Sequence, residues 1–251
     1  MAGRLSSGHS GVVRGWWQEI VGLVLPVACG GCGRPRTELC EECASGLASL
    51  PCRVRPAPEP VGLPEVHAAA PYENAVRAML LAHKERGALG LAGALGGALA
   101  AAVRAGAGQV GEAGPLLVVP VPSARRATAG RGHDPVRRIA AVAAAELRHG
   151  GTPARVLAVL RQRRAVADQA CLGARERQAN MAGALVVADG GGKLLDGGRV
   201  VLVDDLLTTG SSLAEAARAV RAARHQDRGA AEGLRAAVVA ASPSAFATNR
   251  N

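Results

Sequence analysis

The segment 199–213 carries the residues best suited to chemistry, because two adjacent acids precede a turn rich in hydroxyls and glycine. The acids are Asp204 and Asp205, and the turn contains Thr208, Thr209, Gly210, Ser211 and Ser212. Backbone N–H groups in such a turn, at the start of a helix, form a nest for an anion, and the hydroxyls add donors around a monoester phosphate. The carboxylates would repel a phosphate, but they accept hydrogen bonds from ribose hydroxyls or hold a divalent cation. The segment therefore predicts a site for a sugar phosphate.

Two other interpretations of this segment stay open. In the first, its acids and hydroxyls only cap a turn and a helix, since Ser212 and Glu215 have the spacing of a capping box. In the second, the turn is a nucleotide P-loop, although the Gly-Lys-Ser/Thr sequence of that loop is missing and the acids precede the turn.

Four of the six cysteines form two Cys-x-x-Cys pairs separated by seven residues: Cys29 with Cys32, and Cys40 with Cys43. Four thiolates at this spacing fit a tetrahedral Zn²⁺ site. With no open coordination position, the metal would be structural and would stabilise a segment too short for its own core. A pair of redox dithiols is the alternative, but neither pair adjoins a βαβ pattern.

The elements that must position these groups follow from apolar runs and turn residues. Strands are predicted at 116–121, 156–160, 184–188, 200–203 and 236–240, with helices between several of them. Asp134 and Pro135 predict the start of a helix that continues through Leu147. Helical spacing from Val76 to His83 predicts a further helix with Lys84 at its end. This order predicts an α/β fold with a mostly parallel sheet covered by helices, and ligands bind at the carboxyl ends of such strands.

Composition limits both the fold and the function. At 251 residues and 49% apolar content, the chain can form one substantial α/β domain plus a small appendage. Only 2% of residues are aromatic, which leaves little for bases to stack on and argues against a single-strand binder of the aromatic-platform type. The net charge is +10, and residues 121–180 hold twelve arginines against four acids. This positive charge favours a polyanionic partner, such as nucleic acid or a phosphorylated small molecule.

The domain limits and the cellular location of the protein are predicted from the same patterns. We expect a cysteine-bearing segment at 1–50, a Pro-rich linker at 51–64 and the α/β domain at 65–251. The uncharged run 87–103 is Ala- and Gly-rich and favours a packed helix over a membrane span. The sequence therefore predicts a cytoplasmic protein, in which reduced thiols suit a metal better than disulfides.

Residues 201–212, Val-Leu-Val-Asp-Asp-Leu-Leu-Thr-Thr-Gly-Ser-Ser, resemble the phosphoribosyl pyrophosphate loop of type I phosphoribosyltransferases. The order of further motifs narrows the resemblance to the competence protein ComF family over roughly residues 25–241. These motifs are the two Cys-x-x-Cys pairs, Tyr72 with a helix ending at Lys84, Val119-Pro-Val-Pro122 followed by Arg125 and Arg131-Gly132, and then Gln169, Arg177 and Asn180. Two departures are His133-Asp134 in place of the family's Phe-Asn, and Leu185 near the position of a family aromatic.

The resemblance implies a transferase in which a nucleophile displaces pyrophosphate at ribose C1. Asp204 and Asp205 would engage the ribose diol directly or through Mg²⁺, and residues 208–212 would hold the 5-phosphate. Further ligand contacts would come from Lys84, from the basic turn with Arg125, Arg126 and Arg131, and from a lid over 161–180 with Gln169, Arg177 and Asn180. The resemblance assigns the arginine excess of 121–180 to this turn and lid, and so implies an arginine-lined pocket mouth for a diphosphate, which would secondarily attract nucleic acid. The alternative, that the arginines form a solvated turn and the lid is an ordinary connection, stays open.

Two functions are consistent with the resemblance. The first is a Mg²⁺-dependent phosphoribosyltransferase that binds phosphoribosyl pyrophosphate and acts on an unidentified acceptor. The second is a non-catalytic component of DNA uptake on the same fold, which binds nucleic acid or a partner through the zinc segment. A shared fold does not decide between them.

Overall fold

The structure is a computed structural model that describes residues 27–107, 114–123, 133–164, 173–224 and 233–247. Its main sheet has six strands in the order β1-β2-β8-β7-β3-β4, and every neighbouring pair is parallel except β1 with β2. The strands are β1 (Cys52–Val54), β2 (Glu65–Pro71), β3 (Leu116–Pro120), β4 (Ala154–Val156), β7 (Arg199–Leu207) and β8 (Arg235–Ala241). A separate antiparallel pair consists of β5 (Leu160–Gln162) and β6 (Leu185–Val187).

The described helices begin and end as follows: α1 (Glu41–Ser45), α2 (Asn74–Glu85), α3 (Ala92–Gly106), α4 (Pro135–His149), α5 (Ala174–Met181), α6 (Gly191–Leu195), α7 (Ser211–Ala223) and α8 (Pro243–Ala247). A short 3₁₀ helix, Leu89–Leu91, precedes α3. The predicted start of α4 is confirmed, since the side chain of Asp134 accepts the backbone N–H groups of Val136 and Arg137. The mostly parallel α/β sheet flanked by helices is likewise confirmed.

Strand β7 is buried on both faces, as a central parallel strand must be. Because successive side chains of a strand point to opposite faces, Val201 and Val203 pack with α2, α3 and α4, whereas Val200 and Leu202 pack with α7. The same alternation directs Asp204 toward the α7 face and Asp205 toward the α2 face. The apolar run of β7 therefore decides where the two acids go.

Several elements differ from the sequence prediction. The segment 156–160, predicted as one strand, instead runs from the last residue of β4 to the first residue of β5. Strands β1 and β2 were not predicted. Strand β2 has three alanines among its seven residues and Val66 as its one β-branched residue, a weak strand signal, yet its pairing with β8 buries it. Within the Pro-rich segment 51–64, residues 52–54 form β1, and Pro56 and Pro60 are buried. The domain limits themselves stay a prediction.

One stretch of the described residues, Leu89–Gly106, is long and apolar enough to cross a membrane, with a mean hydropathy of 1.4. Leu95, Leu99 and Val103 of this stretch are fully buried in the protein core, where α3 packs against α4, β2 and β8. A helix buried in this way passes the same test of length and composition as a membrane span.

Candidate functional site

The candidate phosphate site lies where β7 ends and α7 begins, at the carboxyl edge of the parallel sheet. A concave pocket with an empty volume of about 240 Å³ lies here, lined by Asp204 and by the run from Leu206 to Leu213. The pocket thus brings the first acid together with all five residues of the predicted hydroxyl turn. Phosphate binding there stays a prediction.

The turn into α7 depends on Gly210, which is the N-cap residue and has a φ of 75°. Residues with a Cβ rarely adopt this left-handed conformation. A Cβ at this position would also lie 3.1 Å from Leu63 and 3.3 Å from Pro60, so the segment before β2 packs against the turn. Glycine is therefore required here for conformation and for space.

Two hydroxyls of the turn are joined, because Thr209 Oγ1 and Ser211 Oγ lie 3.0 Å apart. Ser211 is buried at the first position of α7, whereas Thr208 is exposed at the rim. The helix that follows has 13 residues, long enough for its aligned peptide dipoles to favour an anion at this end. These groups suit a phosphate oxygen without requiring a positively charged side chain.

The two acids have different surroundings. Asp204 is half-buried in the pocket and its Oδ1 accepts the backbone N–H of Asp205 at 2.8 Å. Burial, and then the charge of Asp205, raise the pKa of Asp204 well above its ordinary value. A divalent cation or a hydroxyl donor in the pocket would stabilise the charged form of Asp204.

Asp205 is buried and forms an ion pair with Lys84, whose Nζ lies 3.0 Å from Asp205 Oδ2. Lys84 is in the last turn of α2, on the opposite face of the sheet from α7. The structure therefore brings this sequence-predicted lysine to the site, where it contacts the second acid.

The capping-box interpretation of Ser212 and Glu215 is wrong, because Gly210 is the N-cap and Glu215 points elsewhere. The carboxylate of Glu215 accepts the backbone N–H of Leu185 at 3.0 Å and is held by Arg218 at 2.8 Å. Arg218 also donates to the carbonyl of Leu185 at 2.9 Å. Burial raises the pKa of Glu215, but the hydrogen bonds from Arg218 and Leu185 outweigh it and lower the net pKa. This network ties α7 to β6, and local sequence spacing carries no signal for it.

The four cysteines of the two Cys-x-x-Cys pairs converge, with all Sγ atoms within 4.8 Å of one another. Cys40 Sγ lies 3.7 Å from both Cys29 Sγ and Cys32 Sγ. A tetrahedral Zn²⁺ with Zn–S bonds of about 2.3 Å places its sulfurs about 3.8 Å apart, so the cluster fits this metal. The predicted ligand set is therefore close enough to bind a metal ion such as zinc.

The backbone around the cluster favours a thiolate. Cys40 donates its N–H to Cys29 Sγ at 3.4 Å. Burial raises the pKa of Cys29, but the backbone N–H groups of Cys32, Cys40 and Gly31 outweigh it and lower the pKa to about 6. Burial raises the pKa of Cys43. Because metal ligands must be deprotonated, a bound cation would supply the charge that the buried Cys43 needs.

The remaining predicted site residues are not brought together in the described part of the chain. Arg177 and Asn180 lie on α5, which packs against α7, but neither lines the pocket. Arg125, Arg126, Arg131 and Gln169 lie outside the described residues. Their predicted roles stay predictions.

The arginine excess of 121–180 does not all face the pocket. Arg148, near the end of α4, donates to the carbonyl of Ala154, the first residue of β4. This contact lies at the amino ends of the parallel strands, whereas Asp204 lies near the carboxyl end of β7. Arg164 donates to the carbonyls of Asn180 and Ala182. Backbone carbonyls therefore bind both arginines, and the arginine-lined pocket mouth stays a prediction.

Comparison of the whole chain with protein-family models and with curated protein sequences finds no match to either.

Proposed function

We propose that this chain binds phosphoribosyl pyrophosphate and transfers its phosphoribosyl group to an acceptor, on a fold of the type I phosphoribosyltransferase kind. One observation carries the proposal: a single pocket combines the carboxylate of Asp204 with the turn 208–212 at the carboxyl end of a central parallel strand. A sugar phosphate needs donors for its phosphate and acceptors for its diol, and this pocket offers both at adjacent positions. The ordered motifs that resemble the ComF family support the same assignment.

Each group in the pocket has a part in the proposed reaction. The turn 208–212 holds the 5-phosphate, and Asp204 orients the ribose hydroxyls. The bond from ribose C1 to the pyrophosphate oxygen breaks as the acceptor's lone pair forms a new bond to C1. Fixing the sugar in this orientation removes much of the entropic cost of that displacement.

Mg²⁺ is part of the proposal and fits the pocket through Asp204, the acid that faces it. Asp205 is held by Lys84, and we assign it a supporting role through the 2.8 Å hydrogen bond from its N–H to Asp204. Bound with the diphosphate, Mg²⁺ would supply positive charge for the leaving group.

Calorimetry with phosphoribosyl pyrophosphate and Mg²⁺ tests the binding step. We expect the wild type to bind, and Asp204→Asn and Ser211→Ala each to weaken binding at least tenfold. The matched controls are Asp189→Asn and Ser49→Ala, which change exposed residues that do not line the pocket and should bind as the wild type does. An absence of binding, or binding indifferent to the double change Asp204→Asn with Asp205→Asn, would refute the proposal.

Release of pyrophosphate in a screen of bases and amines then tests transfer. The alternative function, nucleic-acid binding in DNA uptake, predicts instead a salt-dependent affinity for DNA that falls when Cys40→Ser disrupts the cluster. A protein that binds DNA in this way but ignores phosphoribosyl pyrophosphate would establish the alternative.

A further inference from the structure

The four-cysteine cluster is in direct contact with the helix that carries Lys84. A Cβ added to Gly31 would lie 2.6 Å from Cys43 Sγ and 3.3 Å from Ala75 Cβ, so the first knuckle is pressed between α1 and α2. Ala75, in the first turn of α2, packs against the buried cysteines. The cysteine module, by which we mean residues 27–47, thus covers the start of α2.

Two further contacts hold the module against the helices on the α2 side of the sheet. Gly46 faces Val76 of α2, and Gly30 faces Leu91, where a Cβ on the glycine would lie 2.6 Å from the leucine side chain. Leu47 is buried in the same core cluster as Val76 and Leu91. The module therefore shares the apolar core beneath α2.

The start of α2 has little local support of its own. Its N-cap residue, Glu73, makes no side-chain capping bond. Asn74, the first residue of the helix, has a φ of 45°, in the left-handed region that Asn tolerates better than most residues with a Cβ but not as freely as glycine. Such a conformation persists where the surrounding packing holds it, and the cysteine module supplies packing here.

The other end of α2 reaches the candidate phosphate site. From Ala75 to Lys84 the helix rises about 14 Å at 1.5 Å per residue. Lys84 Nζ then contacts Asp205 Oδ2, and the backbone N–H of Asp205 contacts Asp204 Oδ1 in the pocket. A rigid helix thus joins the metal cluster at one end to the acids at the other.

We propose that the metal-bound cysteine module positions α2, and that through Lys84 and Asp205 the metal sets the affinity of the phosphate pocket. This inference rests on the proposed function and assigns that site a regulator. Without the metal, the four cysteines keep only weak hydrogen bonds to one another, so the knuckles pack less firmly against Ala75 and the start of α2 loosens. The helix then holds Lys84 less firmly against Asp205, and Asp205 is no longer held in a fixed position beside Asp204 in the pocket.

The test compares zinc-loaded protein with protein stripped by a zinc-selective chelator, which is removed before Mg²⁺ is added. We expect zinc removal to weaken binding of phosphoribosyl pyrophosphate about 5- to 10-fold, at the lower end of the range for coupled sites. Zinc added back should restore the affinity, and far-UV circular dichroism should show that the stripped protein keeps its secondary structure. Cys52→Ser is the matched control, because Cys52 lies on β1 outside the cluster and its loss should change neither zinc content nor affinity.

Lys84→Met identifies the route. If the metal acts through Lys84, this variant binds the ligand more weakly than the wild type and is indifferent to zinc removal. An equal effect of zinc removal in the wild type and in Lys84→Met would overturn the proposal, as would an unchanged affinity in the stripped wild type.

Hydrogen exchange without ligand separates this inference from the proposed function. We expect backbone amides of residues 76–86 to exchange faster after zinc removal, in the first and in the last turn of α2. Faster exchange together with no ligand binding by the zinc-loaded protein would refute the proposed function while supporting the coupling. Unchanged exchange throughout α2 would refute the coupling whatever the ligand does.

Discussion

Lys84 and Asp205 are 121 residues apart in the chain, yet their side chains form a 3.0 Å ion pair beside the candidate phosphate pocket. The carboxylate is only 8% exposed, whereas the lysine is 37% exposed. A buried carboxylate loses its hydration, and this pair restores a partner for it.

Replacing Lys84 by Met should leave the buried Asp205 without its ammonium partner. Because the lysine is partly exposed and its charge is screened, we expect a loss of about 1–2 kcal/mol in the free energy of unfolding rather than the full cost of an uncompensated buried charge. Lys84→Arg keeps the charge and should retain most of this stability. Urea unfolding measures both variants, and equal stability of wild type and Lys84→Met would show that the pair contributes nothing.

Replacing Gly210 by Ala should damage the turn, since a left-handed φ costs a residue with a Cβ about 1–2 kcal/mol and the new methyl meets Leu63 and Pro60. We expect lower stability and weaker ligand binding together. Gly93→Ala is the control: this helical glycine is exposed and has nothing within 4 Å of an added Cβ. That change should be neutral or stabilising by up to about 1 kcal/mol. Thermal unfolding of both variants checks the prediction, which fails if Gly210→Ala melts at the wild-type temperature.

Replacing Glu215 by Gln should weaken the link between β6 and α7, because the neutral amide forms no ion pair with Arg218. We expect a loss of about 1–3 kcal/mol at neutral pH, as for hydrogen bonds to charged groups. The pKa of Glu215 is lowered in the folded protein, so its contribution is fully present above its unfolded value near 4.5 and is lost as the pH falls through the lower folded value. The stability difference between wild type and Glu215→Gln should therefore shrink below about pH 4.5. Urea titrations across this range measure it, and a difference that stays constant with pH would contradict the assignment.

Replacing Cys40 by Ser should remove one of four sulfur ligands and lower the zinc content of the purified protein. A metal held by the four thiols would stabilise the module and the core beneath it. We therefore expect a fall in Tm of about 5 °C or more, given that each kcal/mol shifts the Tm of a domain of this size by about 2–4 °C. Metal analysis and thermal unfolding test this against Cys52→Ser. Full zinc retention by Cys40→Ser would count against a four-thiolate site.

Local patterns predicted the parts of this protein that depend on local physics. The two Cys-x-x-Cys pairs indicated the metal cluster because short knuckles bring thiols together whatever surrounds them. Asp134 and Pro135 predicted the start of α4, since capping depends on neighbours in the chain. Continuous apolar runs predicted strands that are buried on both faces, such as β3 and β7.

Other features depend on partners that are distant in sequence, and no local pattern reports those. Strand β2 carries a weak strand signal of its own and lies in the sheet through its pairing with β8, far along the chain, and with β1. The buried Glu215 has the spacing of a capping residue, but beside Arg218 on its own helix it binds the backbone N–H of Leu185, 30 residues away. Arg148 is part of a basic excess in sequence, and packing places it at the start of β4, at the opposite end of the strands from the pocket.

The sequence by itself determined that a buried strand ends in two acids and a hydroxyl turn, and that four thiols lie close enough to bind a metal ion. Only the tertiary structure decided that the acids divide between the two faces of the sheet, with Asp204 in the pocket and Asp205 on Lys84. It also decided that the cysteine module covers the start of the helix that bears this lysine. The reason is physical: spacing along a chain fixes which groups are near neighbours, whereas burial of apolar faces fixes which distant elements meet.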